Sequence, residues 1–118
     1  MMTIREMAEC LNAQVILGEN KLDQTVESAF GSDLMSDVLA FVNDKAVLLT
    51  GLVNPHVIRT AEMLDLCCIV FVRGKVPADE IIEMADELGI VVLSTQNTMY
   101  NSCGILYSKG LPASARKS

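Results

Sequence analysis

The sequence predicts an α/β fold, a three-layer domain whose mainly parallel central sheet is flanked by helices. The first observation is a repeated pattern in which an apolar run ends in a glycine-bearing polar turn and a helix start follows. Residues 46–51 form its first copy and residues 68–74 its second. The second observation is a third apolar run, residues 90–93, that also follows a helical segment. Strands that alternate with helices of this length indicate right-handed crossovers between parallel strands.

The elements before residue 46 are predicted from periodicity and capping residues. Apolar residues at helical spacing predict a helix that begins near Thr3, with Thr3 as N-cap and Glu6 completing a capping box. Two strands follow, at residues 14–17 and at residues 25–30. The next helix begins at Ser32 or Asp33 and ends at the polar residues 43–45.

Helices are also predicted after each strand of the repeated pattern. Asn54 and Pro55 are typical of a helix start, because asparagine caps free amides and proline suits the first turn. Residues 78–88 have an amphipathic pattern that a glycine ends. A last helix is predicted over about residues 96–106, ended or interrupted near Gly104.

Length and charge limit the class of protein. A chain of 118 residues predicts one domain, which we place at residues 1–108, followed by a flexible polar tail at residues 109–118. No apolar run reaches the ~20 residues that span a bilayer, and the first residues do not resemble a signal peptide. We therefore expect a cytoplasmic protein. The formal net charge of −6 argues against nucleic-acid binding.

Metal-ligating and catalytic candidates are few. The four cysteines have no metal-ligand spacing and are expected to be reduced, packed side chains: Cys10, Cys67, Cys68 and Cys103. A reactive thiol at Cys103 is the alternative. His56 has no nucleophile near it in sequence. We expect no metal, no cofactor and no catalytic residue.

The two glycine turns predict a ligand-binding cleft at the carboxyl edge of the sheet, because parallel strands place their exit turns side by side. The residues expected to converge there are Thr50, Gly51, Asn54, Arg73, Gly74 and Lys75. Arg73 and Lys75 beside a flexible glycine suit a phosphate or a carboxylate. The alternative for Arg73 and Lys75 is that they are surface charges paired with neighbouring acids. The alternative for the first turn is that its polar residues only stabilise the turn.

Three residues at the start of the second predicted helix are further candidates for polar contact with a ligand. They are Asp33, Ser36 and Asp37. The alternative is that these side chains cap the helix and interact with its positive N-terminal end.

The order of these motifs resembles the DRTGG domain, which is itself similar to the N-terminal domain of HPr kinase/phosphorylase. The resemblance extends from residue 3 to about residue 110 and is carried by three segments, at residues 2–19, 31–39 and 90–95. The family has an Asp-Arg pair where this chain has residues 50–54, and Thr-Gly-Gly where it has Arg73, Gly74 and Lys75. The late strand and its polar exit add Ser94 and Thr95 to the expected ligand site.

The resemblance implies a regulatory or assembly module of the kind found beside CBS pairs and phosphotransacetylase or pyrophosphatase domains. It also implies a stand-alone branch found in clostridial-like anaerobes. The chain has no phosphate-binding G-x-x-x-x-G-K-[ST] loop, so kinase chemistry is not implied.

The predicted function is a non-enzymatic regulatory or sensory module that binds an anionic metabolite or nucleotide. A protein interaction and dimerisation module without a small ligand is the alternative, and a transferase is the least favoured. With five aromatic residues to fill a core and a high apolar fraction, we expect a homodimer. A signalling or metabolic enzyme is the expected partner.

Overall fold

The computed structural model describes residues 1–42 and 45–114. The strands, in chain order, are β1 (Met2–Thr3), β2 (Gln14–Leu17), β3 (Thr25–Val26), β4 (Ser28–Gly31), β5 (Ala46–Thr50), β6 (Cys68–Phe71) and β7 (Val91–Ser94). The helices are α1 (Ile4–Leu11), α2 (Met35–Phe41), α3 (Pro55–Met63), α4 (Asp79–Glu87) and α5 (Met99–Ser108), with a 3-10 turn at Glu19–Lys21.

The central sheet has five strands in the order β2-β7-β6-β5-β4. Strands β4, β5, β6 and β7 are parallel, whereas β2 runs antiparallel to β7 at one edge. Strands β1 and β3 form a separate antiparallel pair. The predicted α/β fold with a mainly parallel sheet is confirmed.

Helices cover both faces of the sheet and make three layers. Helices α1 and α5 pack on one face, where Val47 and Leu49 of β5 point. Helices α2, α3 and α4 pack on the other face, where Leu48 points. All residues of β5, β6 and β7 are buried, which explains why these strands read as nearly continuous apolar runs.

Helix α1 confirms the predicted capping box, since the Thr3 hydroxyl accepts from the Glu6 amide and the Glu6 carboxylate accepts from the Thr3 amide. The second predicted strand was wrong in extent, because its first two residues pair with β1 instead of joining the central sheet. Strand β1 was not predicted, since two residues carry no periodicity.

The start of α2 also differs from the prediction. The helix begins at Met35, and neither Ser32 nor Asp33 caps it; the Ser32 hydroxyl instead accepts from the Leu34 amide at 3.0 Å. Two large apolar side chains of this region, Leu34 and Phe41, are 57% and 52% exposed. Part of the predicted polar stop, residues 43 and 44, lies outside the described residues.

The C-terminal part of the chain is more ordered than its composition suggested. Helix α5 continues through Gly104, where the prediction placed an end or interruption. The expectation of a flexible tail does not fit residues 111–114, because Leu111 is 1% exposed and the backbone then bonds to the outer edge of β4. The Ala29 amide donates to the Pro112 carbonyl at 2.9 Å, and the Ser114 amide donates to the Ala29 carbonyl at 2.8 Å. Residues 115–118 lie outside the described residues.

In the described parts of the chain, no helix combines the length and the apolar character needed to cross a membrane.

Candidate functional site

Four polar turns lie side by side at one edge of the sheet, because β4 to β7 are parallel and adjacent. Backbone hydrogen bonds continue past the strand ends and hold neighbouring turns together. The Val72 amide donates to the Thr50 carbonyl at 3.0 Å, and the Thr95 amide donates to the Phe71 carbonyl at 3.0 Å. The two glycine turns are therefore neighbours in space.

Asp33, which follows β4, reaches across to the turn after β5. Its Oδ1 accepts from the Gly51 amide at 2.7 Å and from the Thr50 hydroxyl at 3.0 Å. Its Oδ2 lies 4.0 Å from Arg73 Nη2, in the turn after β6. One carboxylate thus interacts with the ends of two further strands. The helix-cap interpretation of Asp33 was wrong, because its side chain turns towards the sheet.

The Arg73 guanidinium lies across Gly51. A Cβ added to Gly51 would collide with Arg73 Nη2 and would lie 3.0 Å from Cζ. The Arg73 side chain is 52% exposed. Its long ion pair with Asp33 agrees in part with the alternative interpretation, in which Arg73 is a surface charge paired with a neighbouring acid. The site therefore presents a positioned guanidinium beside an acid.

The backbone of the turn after β6 is left-handed at two consecutive residues. Arg73 has φ 60° and Gly74 has φ 69°. This conformation is strained for a residue with a side chain and needs support from its surroundings. The support comes from the turn after β7, because the Arg73 amide donates to the Asn97 carbonyl and the Gly74 amide to the Thr95 carbonyl, both at 2.8 Å.

Ser94 and Thr95 use their hydroxyls to brace the site. The Ser94 hydroxyl donates to the Lys75 carbonyl at 2.8 Å, and the Thr95 hydroxyl donates to the Leu11 carbonyl at 2.8 Å. Asn97 Nδ2 donates to the same Leu11 carbonyl at 2.9 Å. Asn97 was not predicted as a site residue, although it belongs to a polar run that follows a strand as the other turns do.

The remaining predicted site residues are at the same edge or near it. Asn54 Oδ1 accepts from the His56 amide at 3.0 Å and caps α3 as predicted. Ser36 and Asp37 are exposed on the first turn of α2. Lys75 is exposed directly after Gly74.

Neither metal binding nor thiol chemistry is favoured by the described residues. Residues 1–42 and 45–114 contain no group of three or more His, Cys, Asp or Glu side chains that could hold a metal ion. Burial raises the pKa of the thiols of Cys67, Cys68 and Cys103 above the ordinary value. These cysteines are therefore protonated near neutral pH, which disfavours the reactive interpretation of Cys103.

The chain is thus an α/β domain whose polar turns are braced by hydrogen bonds at the carboxyl edge of its sheet. The model of the DRTGG domain family matches residues 6–108, and the chain belongs to that family.

One similar solved structure is that of the CBS and DRTGG domains of the regulatory region of Clostridium perfringens pyrophosphatase, complexed with the activator diadenosine tetraphosphate. The superposition has a TM-score of 0.72 at 15% identity, and it covers 99% of this chain and 51% of that chain. This likeness shows a shared fold. No curated protein sequence matches the chain.

Proposed function

We propose that the chain is a regulatory module without catalytic activity of its own, and that it binds an anionic metabolite or nucleotide at the carboxyl edge of its sheet. The observation that carries this proposal is the position of the Arg73 guanidinium, held half-exposed over Gly51 where three strands end. Lys75 adds a second exposed positive charge two residues later. Guanidinium and ammonium groups are the side chains that bind phosphate and carboxylate most strongly.

The strained turn supports the same proposal. Arg73 keeps a left-handed backbone that costs about 1–3 kcal/mol, and such strain is concentrated at functional sites. The hydrogen bonds that the Arg73 and Gly74 amides donate to the Asn97 and Thr95 carbonyls hold this turn. A merely exposed surface charge does not need this support.

The ligand class is proposed from the chemistry of the site and from the solved neighbour. That neighbour is a regulatory region of which 51% superposes on this chain, and it is complexed with the activator diadenosine tetraphosphate. Nucleotides are therefore the first ligands to test. Four further expectations from the sequence also remain part of the proposal. The chain is similar to the N-terminal domain of HPr kinase/phosphorylase and comes from an anaerobe. It is cytoplasmic, and its partner is a signalling or metabolic enzyme.

The test begins with a thermal-shift screen of mononucleotides, dinucleotides, sugar phosphates and acyl phosphates. A ligand that binds only the folded state raises the melting temperature. Calorimetry then compares the wild type with the double variant Arg73→Ala, Lys75→Ala. We expect the double variant to fold, because exposed charges contribute little to stability, and to lose salt-sensitive binding of the ligand.

The matched control is the double variant Arg59→Ala, Lys109→Ala, which removes two exposed positive charges from α3 and from the end of α5. It should bind like the wild type. Equal affinity of the wild type and the Arg73, Lys75 double variant would contradict the proposal and would favour the interaction module instead.

Dimerisation is proposed on a separate observation. Leu34 and Phe41 are more than half exposed, and the Phe41 ring stacks on Phe30 with a centroid distance of 6.5 Å. A second copy that covers this apolar surface would form a homodimer. Light scattering at tens of micromolar protein should give the mass of a dimer, and the mass of a monomer would contradict this part of the proposal.

A further inference from the structure

Two hydrogen-bond donors and a guanidinium, from the carboxyl ends of two strands, converge on the carboxylate of Asp33. They are the Gly51 amide at 2.7 Å, the Thr50 hydroxyl at 3.0 Å and, at the longer distance of 4.0 Å, Arg73 Nη2. A backbone amide, a hydroxyl and a guanidinium are the donors that proteins use to bind the oxygens of a phosphate. The structure therefore contains an anion-binding arrangement in which the bound anion is a side chain of the same chain.

The exposure of these groups shows which of them faces the solvent. Thr50 is 0% exposed and Gly51 is buried, whereas the Asp33 side chain is 54% exposed. The Asp33 carboxylate thus lies between the solvent and the two buried donors, the Thr50 hydroxyl and the Gly51 amide. Moving the carboxylate away would open the Thr50 hydroxyl and the Gly51 amide to an anion from solution.

We propose that Asp33 is an internal competitor that occupies the phosphate subsite of this module, and that a phosphate group of the ligand displaces its carboxylate. The inference rests on the proposed function and adds a location for the phosphate and a means of regulating the site. In the bound form, the phosphate oxygens accept from Gly51, Thr50 and Arg73, and Asp33 turns outwards to water.

The segment that carries Asp33 lies at the surface, with Asp33 and Leu34 both exposed. Leu34, the next residue, is 57% exposed, and the side chains of this segment do not cap α2. The Ser32 amide still donates to the Leu49 carbonyl at 3.0 Å, which provides a fixed point before Asp33. The ion pair with Arg73 is long and half-exposed, and pairs of this kind contribute little to stability. Displacement of Asp33 therefore breaks two hydrogen bonds that an incoming phosphate replaces.

The proposal predicts the sign of a mutational effect. The variant Asp33→Ala removes the competing negative charge, so its affinity for inorganic phosphate and for ADP should rise by about tenfold. If Asp33 served only to hold the turn in shape, or if it contacted the ligand favourably, the same variant would bind more weakly than the wild type. Isothermal titration calorimetry with both probes measures the difference.

Two further variants make the result specific. Asp33→Asn keeps an Oδ1 acceptor for the Gly51 amide and the Thr50 hydroxyl but removes the charge, so it should fold even if Asp33→Ala does not. It should also bind more tightly than the wild type. Glu62→Ala removes a charge from the exposed C-terminal part of α3, away from the carboxyl edge of the sheet, and should leave affinity within about twofold, since charges fully in water are screened.

The outcomes separate this inference from the proposed function. Tighter binding by both Asp33 variants with unchanged binding by Glu62→Ala supports it, including the case in which the wild type binds too weakly to measure. If the wild type binds and a folded Asp33 variant binds no more tightly, the inference is overturned and the proposed function is not. Absence of phosphate and ADP binding in every variant overturns both.

Discussion

Gly51 is a glycine because another side chain occupies the space of its Cβ. Its φ is not in the left-handed region, so backbone conformation does not demand glycine there. The demand comes from the Arg73 guanidinium, whose Cζ lies 3.0 Å from the position of an added Cβ. This contact fixes where the positive charge of the site lies.

The variant Gly51→Ala should weaken ligand binding far more than it destabilises the protein. The added methyl group displaces Arg73 from the turn, and affinity for a phosphate-bearing ligand should fall by about tenfold, as for loss of one charged hydrogen bond. The melting temperature should change little, because the displaced group is the end of a flexible, half-exposed side chain. Calorimetry and thermal unfolding measure the two effects, and an unchanged affinity would contradict the assigned role of Arg73.

The residue types of the site could be predicted from the sequence, whereas their contacts could not. Glycine turns after apolar runs pointed to Thr50, Gly51 and Arg73. The partner of these residues, Asp33, was placed at the start of a helix because acids commonly cap helices. Its true contact depends on β4 lying beside β5, and strand order is a property of the folded sheet.

At the scale of elements, Gly104 shows how packing outweighs a local signal. A glycine near the end of an apolar segment is typical of a helix stop, yet α5 continues for four residues beyond it. Leu106 is fully buried in the core, so the helix that carries it is stabilised by packing. The nearly continuous apolar strands were easier to predict than this helix end. A strand covered on both faces is apolar whichever strands lie beside it.

The variant Gly104→Ala should stabilise the protein by about 0.5–1 kcal/mol, because alanine loses less backbone entropy in a helix and nothing lies within 4 Å of the added Cβ. Chemical denaturation measures the free energy of unfolding. The matched control is Gly89→Ala, which should destabilise because Gly89 has φ 71°. Destabilisation by Gly104→Ala would show that α5 ends earlier in solution.

At the scale of the whole molecule, charge and topology act together. The chain carries a net charge of −6, so an anion approaches against a weak overall repulsion and needs a local positive site. The proposed site is at the carboxyl edge, where the parallel strands gather turns from distant parts of the sequence. Strand alternation was enough to predict this edge. The antiparallel position of β2 and the docking of residues 111–114 on β4 were beyond prediction, since both depend on which sheet edge remains open.

The most direct test of the proposed site is a titration of the uniformly ¹⁵N-labelled wild type with ADP, followed by two-dimensional ¹H–¹⁵N spectra. The amide signals of Gly51 and Gly74 and the side-chain Nε signal of Arg73 should shift and saturate with one common dissociation constant. The signals of Gly104 and Gly110, which lie in and after α5, should stay in place. Unmoved signals at Gly51 and Gly74, or saturable shifts confined to other parts of the chain, would contradict an anion site at the carboxyl edge of the sheet.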